Sequence, residues 1–359
     1  MKAKTTYMSV WVVAILFACC QFAEGQGNAF NTPGNILIAD QFNNRVIEVN
    51  PTTGAVVWSF GNGSSTPGPH SVVGTNDAQR IGNLTLIAGT GAPAGTPTIY
   101  EANCFKNGCP DNRVIVVDQA GKIVWQYGEG GVTGSGPNQL NTPVQTTFLP
   151  NKNILVTDQG NQRVIEINQQ KQIVWQYGTT GKSGSGPNEL NNPNSAELLE
   201  NGDILIADEN NNRVIEVNRK KQVVWQYAPD NTSLLSGAAF ASRLCNGNTL
   251  ITDSNNNRVI EINSTGNVVF KYVTNTRAGS IANPLPTRAI RLCNGRTLIS
   301  DQYNNQVIEI DRKGAILFSY GQVGVVGKGP NQLDAPYDAK EIGDYVGITP
   351  PFGTFFGKD

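Results

Sequence analysis

The chain has 359 residues, and 27 Lys+Arg against 28 Asp+Glu leave a net charge of −1. Only 15% of the side chains are charged, against roughly 25% in an ordinary soluble domain, so nucleic acid and an anionic membrane are poor partners on bulk charge. A single histidine, His70, excludes any site built from two or more imidazoles, while 39 Gly and 19 Pro favour short strands and tight turns over long helices.

The first predicted element is a targeting segment. Lys2 and Lys4 precede the apolar run VWVVAILFACC (10–20), which is short of the roughly twenty residues a bilayer span needs. Ala23 and Gly25 occupy the −3 and −1 positions of a cut before Gln26. Residues 1–25 therefore read as a signal peptide, 26–343 as the folded domain and 344–359 as a tail. Leu16-Phe17-Ala18-Cys19 is the alternative, a lipobox with a bulky residue where a small one is usual. The expected location is secreted or extracellular, and periplasmic in a Gram-negative host.

Export to an oxidising compartment makes a local disulfide the natural reading of Cys104 and Cys109, which bracket FKNG. Cys245 and Cys293 sit at equivalent places in RLCNGNTLITD and RLCNGRTLISD, and whether they are bonded or simply buried is open. Sequons at Asn62, Asn83, Asn231 and Asn263 carry meaning only in a eukaryotic host.

One unit is written six times. Five copies are intact: ILIADQFNNRVIEVN (36–50), ILVTDQGNQRVIEIN (154–168), ILIADENNNRVIEVN (204–218), LITDSNNNRVIEIN (250–263) and LISDQYNNQVIEID (298–311). The sixth is split into LTLIAG (84–89) and DNRVIVVD (111–118) by a Gly/Pro-rich insertion at about 92–110. Arg45, Arg113, Arg163, Arg213, Arg258 and Gln306 mark the register at intervals of 68, 50, 50, 45 and 48. In each unit two β-branched runs flank an Asn-rich turn, and an aromatic run such as VVWQY follows. Trp58, Trp125, Trp175, Trp225, Phe270 and Phe318 hold one position of that run and read as wedges between adjacent sheets.

A further strand precedes each unit, aligned on Ala78, Thr146, Ala196, Ala241, Ala289 and Ala339, a small position suited to the crowded centre of a radial sheet. Four strands per unit with a period of 45–50 predict an all-β, six-bladed β-propeller with four-stranded antiparallel blades. The first unit lacks an innermost strand and the chain ends with a spare one, so 337–342 is expected to pair with the sheet that begins at Ile36 and close the ring.

The strings G-x-G-P-N-[QE]-L-N-x-P and D-x-x-N-N-R-V-I resemble NHL repeats. R-L-x-N-G-N-T-L-I-T-D with V-V-W-x-Y resembles the arylsulfotransferase-like and PQQ-like propeller repeats. The resemblance covers nearly all of 28–342 and implies a propeller; such folds serve binding modules and enzymes alike. NDAQRIGNLTLI is similar to an arylsulfotransferase-like segment that reads H-H-D-A-Q-R-L-P-N-G-N-T-L-I, but Thr75 and Asn76 stand where that pattern has histidines. A histidine nucleophile would have to be His70. PQQ binding is a further implication, against which six repeats stand in place of the eight usual in quinoprotein dehydrogenases.

Candidate chemistry follows from broken symmetry, because a site must converge on one point. The repeated glutamates Glu48, Glu166, Glu216, Glu261 and Glu309 therefore read as blade-to-blade contacts. DENNN (208–212) and DSNNN (253–257) echo a calcium loop without its glycine and distal glutamate. They read as turns, and no cofactor is expected, with calcium the one alternative. The second unit departs from the rest with its insertion, with His70 and with the polar strand TNDAQR; Gly89 replaces its Asp, which should open the ring there. The candidate ligand-binding residues are His70, Asn76, Asp77, Arg80, Gln145, Glu197, Arg243, Arg288 and Asp338, joined by Arg291 and Lys340 in a polar, charge-mixed funnel. The expected function is recognition of a protein, a glycan or a small ligand at one ring face or at the channel mouth. The alternative is a propeller lyase, lactonase or sulfotransferase-like enzyme with its site in the channel.

Overall fold

A computed structural model describes residues 30–96, 98 and 102–344; the signal peptide with its alternative lipobox, and nearly all of the tail, lie outside these. The described residues form six four-stranded antiparallel sheets, the blades of a propeller. Blades 2 to 6 each use four consecutive strands and begin with the innermost strands Thr75–Ile81, Pro143–Phe148, Pro193–Leu198, Ala238–Arg243 and Arg288–Arg291. In blade 1 the strands Ile36–Asp40, Arg45–Val49 and Val56–Phe60 take their innermost neighbour from the far end of the chain, Pro336–Glu341, with Ile36 opposite Glu341 and Ile38 opposite Ala339.

The apolar runs are continuous because blades stack face to face, so the second strand of each is buried on both sides. Ile36–Asp40, Ile154–Asp158 and Ile204–Asp208 are buried at every residue. There is accordingly no central core. Six apolar clusters each lie chiefly between two neighbouring blades: Val116, Trp125 and Tyr127 of blade 2 pack against Phe148, Val156 and Ile165 of blade 3, and Ile36, Ile38 and Ile47 of blade 1 against Leu298, Val307 and Tyr320 of blade 6. The aromatic wedges also tie blades by hydrogen bonds. Trp58 Nε1 donates to the Gln119 carbonyl at 2.9 Å and Trp175 Nε1 to the Arg219 carbonyl at 3.2 Å, each on the next blade.

The Asn-rich turn has a local cause. Its last residue is left-handed in every blade, as at Asn44 (φ 54°), Asn212 (φ 48°) and Asn257 (φ 53°), a conformation Asn tolerates better than most side chains. The turn's aspartate then pairs with the arginine that follows, as Asp208 does with Arg213 Nε at 2.7 Å, and also accepts from Asn211 and from the Asn191 N–H. These carboxylates are committed within the turn. Where Gln306 replaces the arginine, Arg277 reaches Asp301 instead, at 2.5 Å.

Gly89 does not open the ring. Asp111 supplies the missing carboxylate from the next strand, accepting from Val73 N–H at 2.6 Å and pairing with Arg113. A Cβ on Gly89 would lie 2.6 Å from the Asp111 Cγ, so the glycine makes room for the substitute. The insertion continues the same hairpin, with Ala92 opposite Cys109. The helix Ala102–Asn107 takes up most of the segment between the two cysteines, and a Cys104–Cys109 disulfide closes it. Cys104 packs with Val73, Ala92 and Phe42, anchoring the insertion over blades 1 and 2. Cys245 and Cys293 are both exposed and not bridged.

Removal of residues 329–359 would strip the partner from Ile36–Asp40 and uncover the cluster between blades 6 and 1. Such a truncation should lose the cooperative thermal transition of the full ring, or show it shifted down by 10 °C or more on the scale of roughly 2–4 °C per kcal/mol. Circular dichroism melting of the two proteins checks it.

Candidate functional site

The innermost strands have one free edge each, and their N–H groups need acceptors. Side chains of the preceding blade supply them. Asp338 accepts from Ala78 N–H at 3.3 Å, Asp77 from Thr146 N–H at 3.1 Å, Gln145 from Ala196 N–H at 2.6 Å and Glu197 from Arg243 N–H at 3.2 Å. Four of the residues chosen from the sequence are thus latches between adjacent blades. Lys340 bridges Asp77, at 2.7 Å, and Asp338. Burial raises the Asp77 carboxyl to about 6 against the pull of Lys340. Burial works against the Lys340 charge, but Asp338 and Asp77 outweigh it and raise the ammonium.

Arg288 plugs the ring. Its guanidinium, 1% exposed, donates to the carbonyls of Ala239 (3.0 Å), Thr287 (3.2 Å) and Val144 (3.3 Å) and to the Asn194 side chain (3.1 Å). It also lies 5.2 Å from the ring centroids of Phe240 and Tyr337. Asn194 in turn holds the Tyr337 hydroxyl of the facing blade and Glu209. Asn76 accepts from Gln41, which accepts from Gln302. A hydrogen-bonded polar network therefore crosses the middle of the ring.

Arg80, Arg243 and Arg291 serve a different purpose. Arg80 pairs with Glu48 at 2.8 Å and lies over the rings of Phe30 and Trp58. Arg243 pairs with Glu216 over Trp225, and Arg291 with Glu261 over Phe270. Each is a clamp of carboxylate, guanidinium and aromatic face between neighbouring blades. Blade 3 uses Arg219 on Glu166 and Trp175. Between blades 2 and 3 the clamp is replaced by apolar packing of Val116, Trp125 and Phe148.

The junction of blades 6 and 1 breaks the pattern, because Glu341 occupies the arginine's place beside Glu309. Among the described residues Glu309 pairs only with Arg296 of its own blade, and burial with the charges of Asp344 and Glu309 raises Glu341 to about 7. Comparing the six innermost strands column by column would have exposed this reversal of charge.

His70 stands apart from the channel. It is exposed and borders an open depression of about 550 Å³ with Pro69, Arg113, Lys122, Ile123 and Gln126, at the outer side of blade 2. The structure therefore does not bring His70 together with Asp77 and Arg80. No group of three metal-ligating side chains occurs among the described residues.

Sequence reasoning missed the apolar residues on the face that carries the insertion. Leu234, Ile281, Tyr303, Val326 and Phe105 are 40–50% exposed there. The turns that follow each Asp share this face with the loops that lead to the innermost strands, as hydrogen bonds from Tyr303 N–H to Pro284 and from Phe42 N–H to Asp334 show. The five residues belong to loops and turns of blades 5, 6, 1 and 2, which follow one another around the ring. Isolated apolar residues inside Gly/Asn-rich loops were the available signal.

Residues 20–313 match the family of PQQ-like repeats described as outer membrane protein assembly factor BamB. The chain belongs to this BamB family. Among curated proteins there is no significant match. Solved structures similar to this BamB-family propeller include a protein of unknown function from Bacteroides caccae, with TM-score 0.56 and 14% identity over 80% of this chain and 93% of that one. Virginiamycin B lyase from Staphylococcus aureus aligns with TM-score 0.46 and 14% identity over 70% of each chain. BamB from Moraxella catarrhalis aligns with TM-score 0.41 and 13% identity over 82% of this chain and 75% of that one. At such identities the likeness concerns the fold alone.

Two predictions follow from the channel and the odd junction. Burial raises the Glu197 carboxyl to about 8, so the folded chain keeps a proton that the unfolded chain releases near its ordinary value. Stability should then fall as pH rises from about 4.5 to about 8. Glu197→Gln should flatten that slope and melt a few degrees above the native chain at pH 8.5, with little difference at pH 5; paired melts across pH measure it. At the other site, Glu341→Arg restores the clamp and should raise the melting temperature at pH 8 by roughly 2–4 °C, as read by calorimetry.

Proposed function

We propose that this BamB-family propeller is an exported recognition scaffold that receives a protein partner on the face carrying the blade 2 insertion. The observation that carries the reading is the arc of Leu234, Ile281, Tyr303, Val326 and Phe105, large apolar side chains left in water on adjacent blades. Exposed apolar groups of this kind, rimmed by polar loops, are typical of protein interfaces. A glycan or small ligand would instead call for a concave site with convergent free polar groups, and the channel candidates spend theirs on neighbouring blades. The family's description as an outer membrane protein assembly factor agrees with a partner-binding role. Its disulfide suits an oxidising compartment.

The insertion supports the same reading. The part of the insertion at 102–109, held by the Cys104–Cys109 bond and by packing of Cys104 on Val73 and Phe42, loses less freedom when it is bound. Replacing residues 92–109 by a short Gly-Ser bridge should leave the fold intact while capture of native partners from the source's exported proteins falls at least tenfold. The double substitution Tyr303→Ser with Ile281→Ser should act in the same direction. A folded deletion variant that keeps full capture would sink the proposal.

A further inference from the structure

The outermost strand of each blade pairs on one side only, so alternate N–H and C=O groups along its other edge face water. Natural proteins usually blunt such edges. Here they carry adjacent apolar pairs: Ile173 and Val174 in blade 3 are 38% and 51% exposed, and Val223 and Val224 in blade 4 are 40% and 52% exposed. The pattern recurs at Val268 and Val269 and at Ile316 and Leu317, which by itself says nothing about a partner.

Blades 3 and 4 add charge. The turn that leads into the blade 3 edge holds Lys171, and that of blade 4 holds Lys220 and Lys221, all exposed and with no carboxylate partner among the described residues. Arg219 of the same turn is already spent on Glu166. The corresponding turns of blades 1 and 5 read PTTGA and STGN and carry no cation, while those of blades 2 and 6 hold one exposed lysine each, Lys122 and Lys313, so blades 3 and 4 are set apart as the neighbours that together hold three. Two neighbouring blades thus present an open strand edge, two aliphatic side chains and exposed lysines, one in blade 3 and two in blade 4, in the same order along the chain.

We infer that the edges of blades 3 and 4 take up an extended, acidic segment of a partner protein by strand addition. The backbone edge supplies the hydrogen bonds, Ile173 and Val174 or Val223 and Val224 supply apolar contact with alternate side chains, and the lysines pair with the segment's carboxylates. Lipid would leave the edge N–H and C=O groups unsatisfied. A second copy of this chain would set Lys171, Lys220 and Lys221 against their own counterparts. This surface lies at the rim, on the opposite end from the insertion face, and its failure would leave the proposed function standing.

The test uses the mature full chain and a synthetic nine-residue peptide alternating Glu with Val and Thr. Trp175 and Trp225 lie on the two edge strands and report binding by their fluorescence. Saturable binding is expected, weakened about tenfold or more by the triple substitution Lys171→Glu, Lys220→Glu, Lys221→Glu, and abolished when a central peptide residue is proline. Melting curves establish that the variant is folded, and the milder Lys→Gln triple variant should fall between it and the native chain. Absence of saturable binding, equal binding of the proline peptide, or equal binding by the folded charge variants overturns the inference. So does binding of phosphatidylglycerol vesicles that the peptide does not displace, or self-association in sedimentation that the same substitutions do not affect.

Discussion

The face-to-face contact between neighbouring blades carries this structure, because a four-stranded sheet alone would leave two apolar faces in water. Val116 and Trp125 of one blade are buried only because Phe148 and Val156 of the next lie against them, and the same dependence runs around the ring. Six interfaces replace one core. No blade is then stable without both neighbours, and the first and last must meet. The pairing of Ile36–Asp40 with Pro336–Glu341 satisfies that condition by joining strands some three hundred residues apart.

Polar chemistry follows the same geometry. At the centre, carboxylates and amides such as Asp77 and Gln145 meet the free N–H groups of the next innermost strand. Further out, glutamate, arginine and aromatic ring form clamps whose members come from two blades. Substitutions appear in compensating sets: Val116 with Phe148, Gln306 with Arg277, Gly89 with Asp111. Each set keeps a buried charge paired or removes it with its partner, since a lone buried charge is costly. At the junction of blades 6 and 1, Glu341 against Glu309 departs from this rule.

With most central polar groups engaged in holding the ring, recognition falls to surfaces the blades do not need for each other. The arc of apolar loop residues beside the insertion is one, and the lysine-flanked edges of blades 3 and 4 are the other. They differ in kind, one being a set of exposed apolar loop residues and the other a strand edge with charge, so they suit partners of different chemistry.

The number of blades, the strand runs and the aromatic wedges were legible in the sequence, because a repeat repeats its physics. The Asn-rich turns and the β-branched runs on either side of them could be read from the repeat, while the left-handed φ of Asn44 and Asn212 and the burial of ILIAD on both faces came with the structure. The disulfide partners were legible too, through spacing and compartment. What the sequence could not supply was the direction of side chains near the axis. Arg80 and Arg288 belong to the same kind of strand and look alike as asymmetric cations, yet one clamps Glu48 between blades and the other spans the ring to Asn194. Nor could it tell that His70 lies apart from Asp77, or that Leu234 and Phe105, 129 residues apart in the chain, share one face. Those relations depend on how six sheets twist about a common axis, and a pattern along the chain records which face of a strand is apolar without recording what stands opposite it.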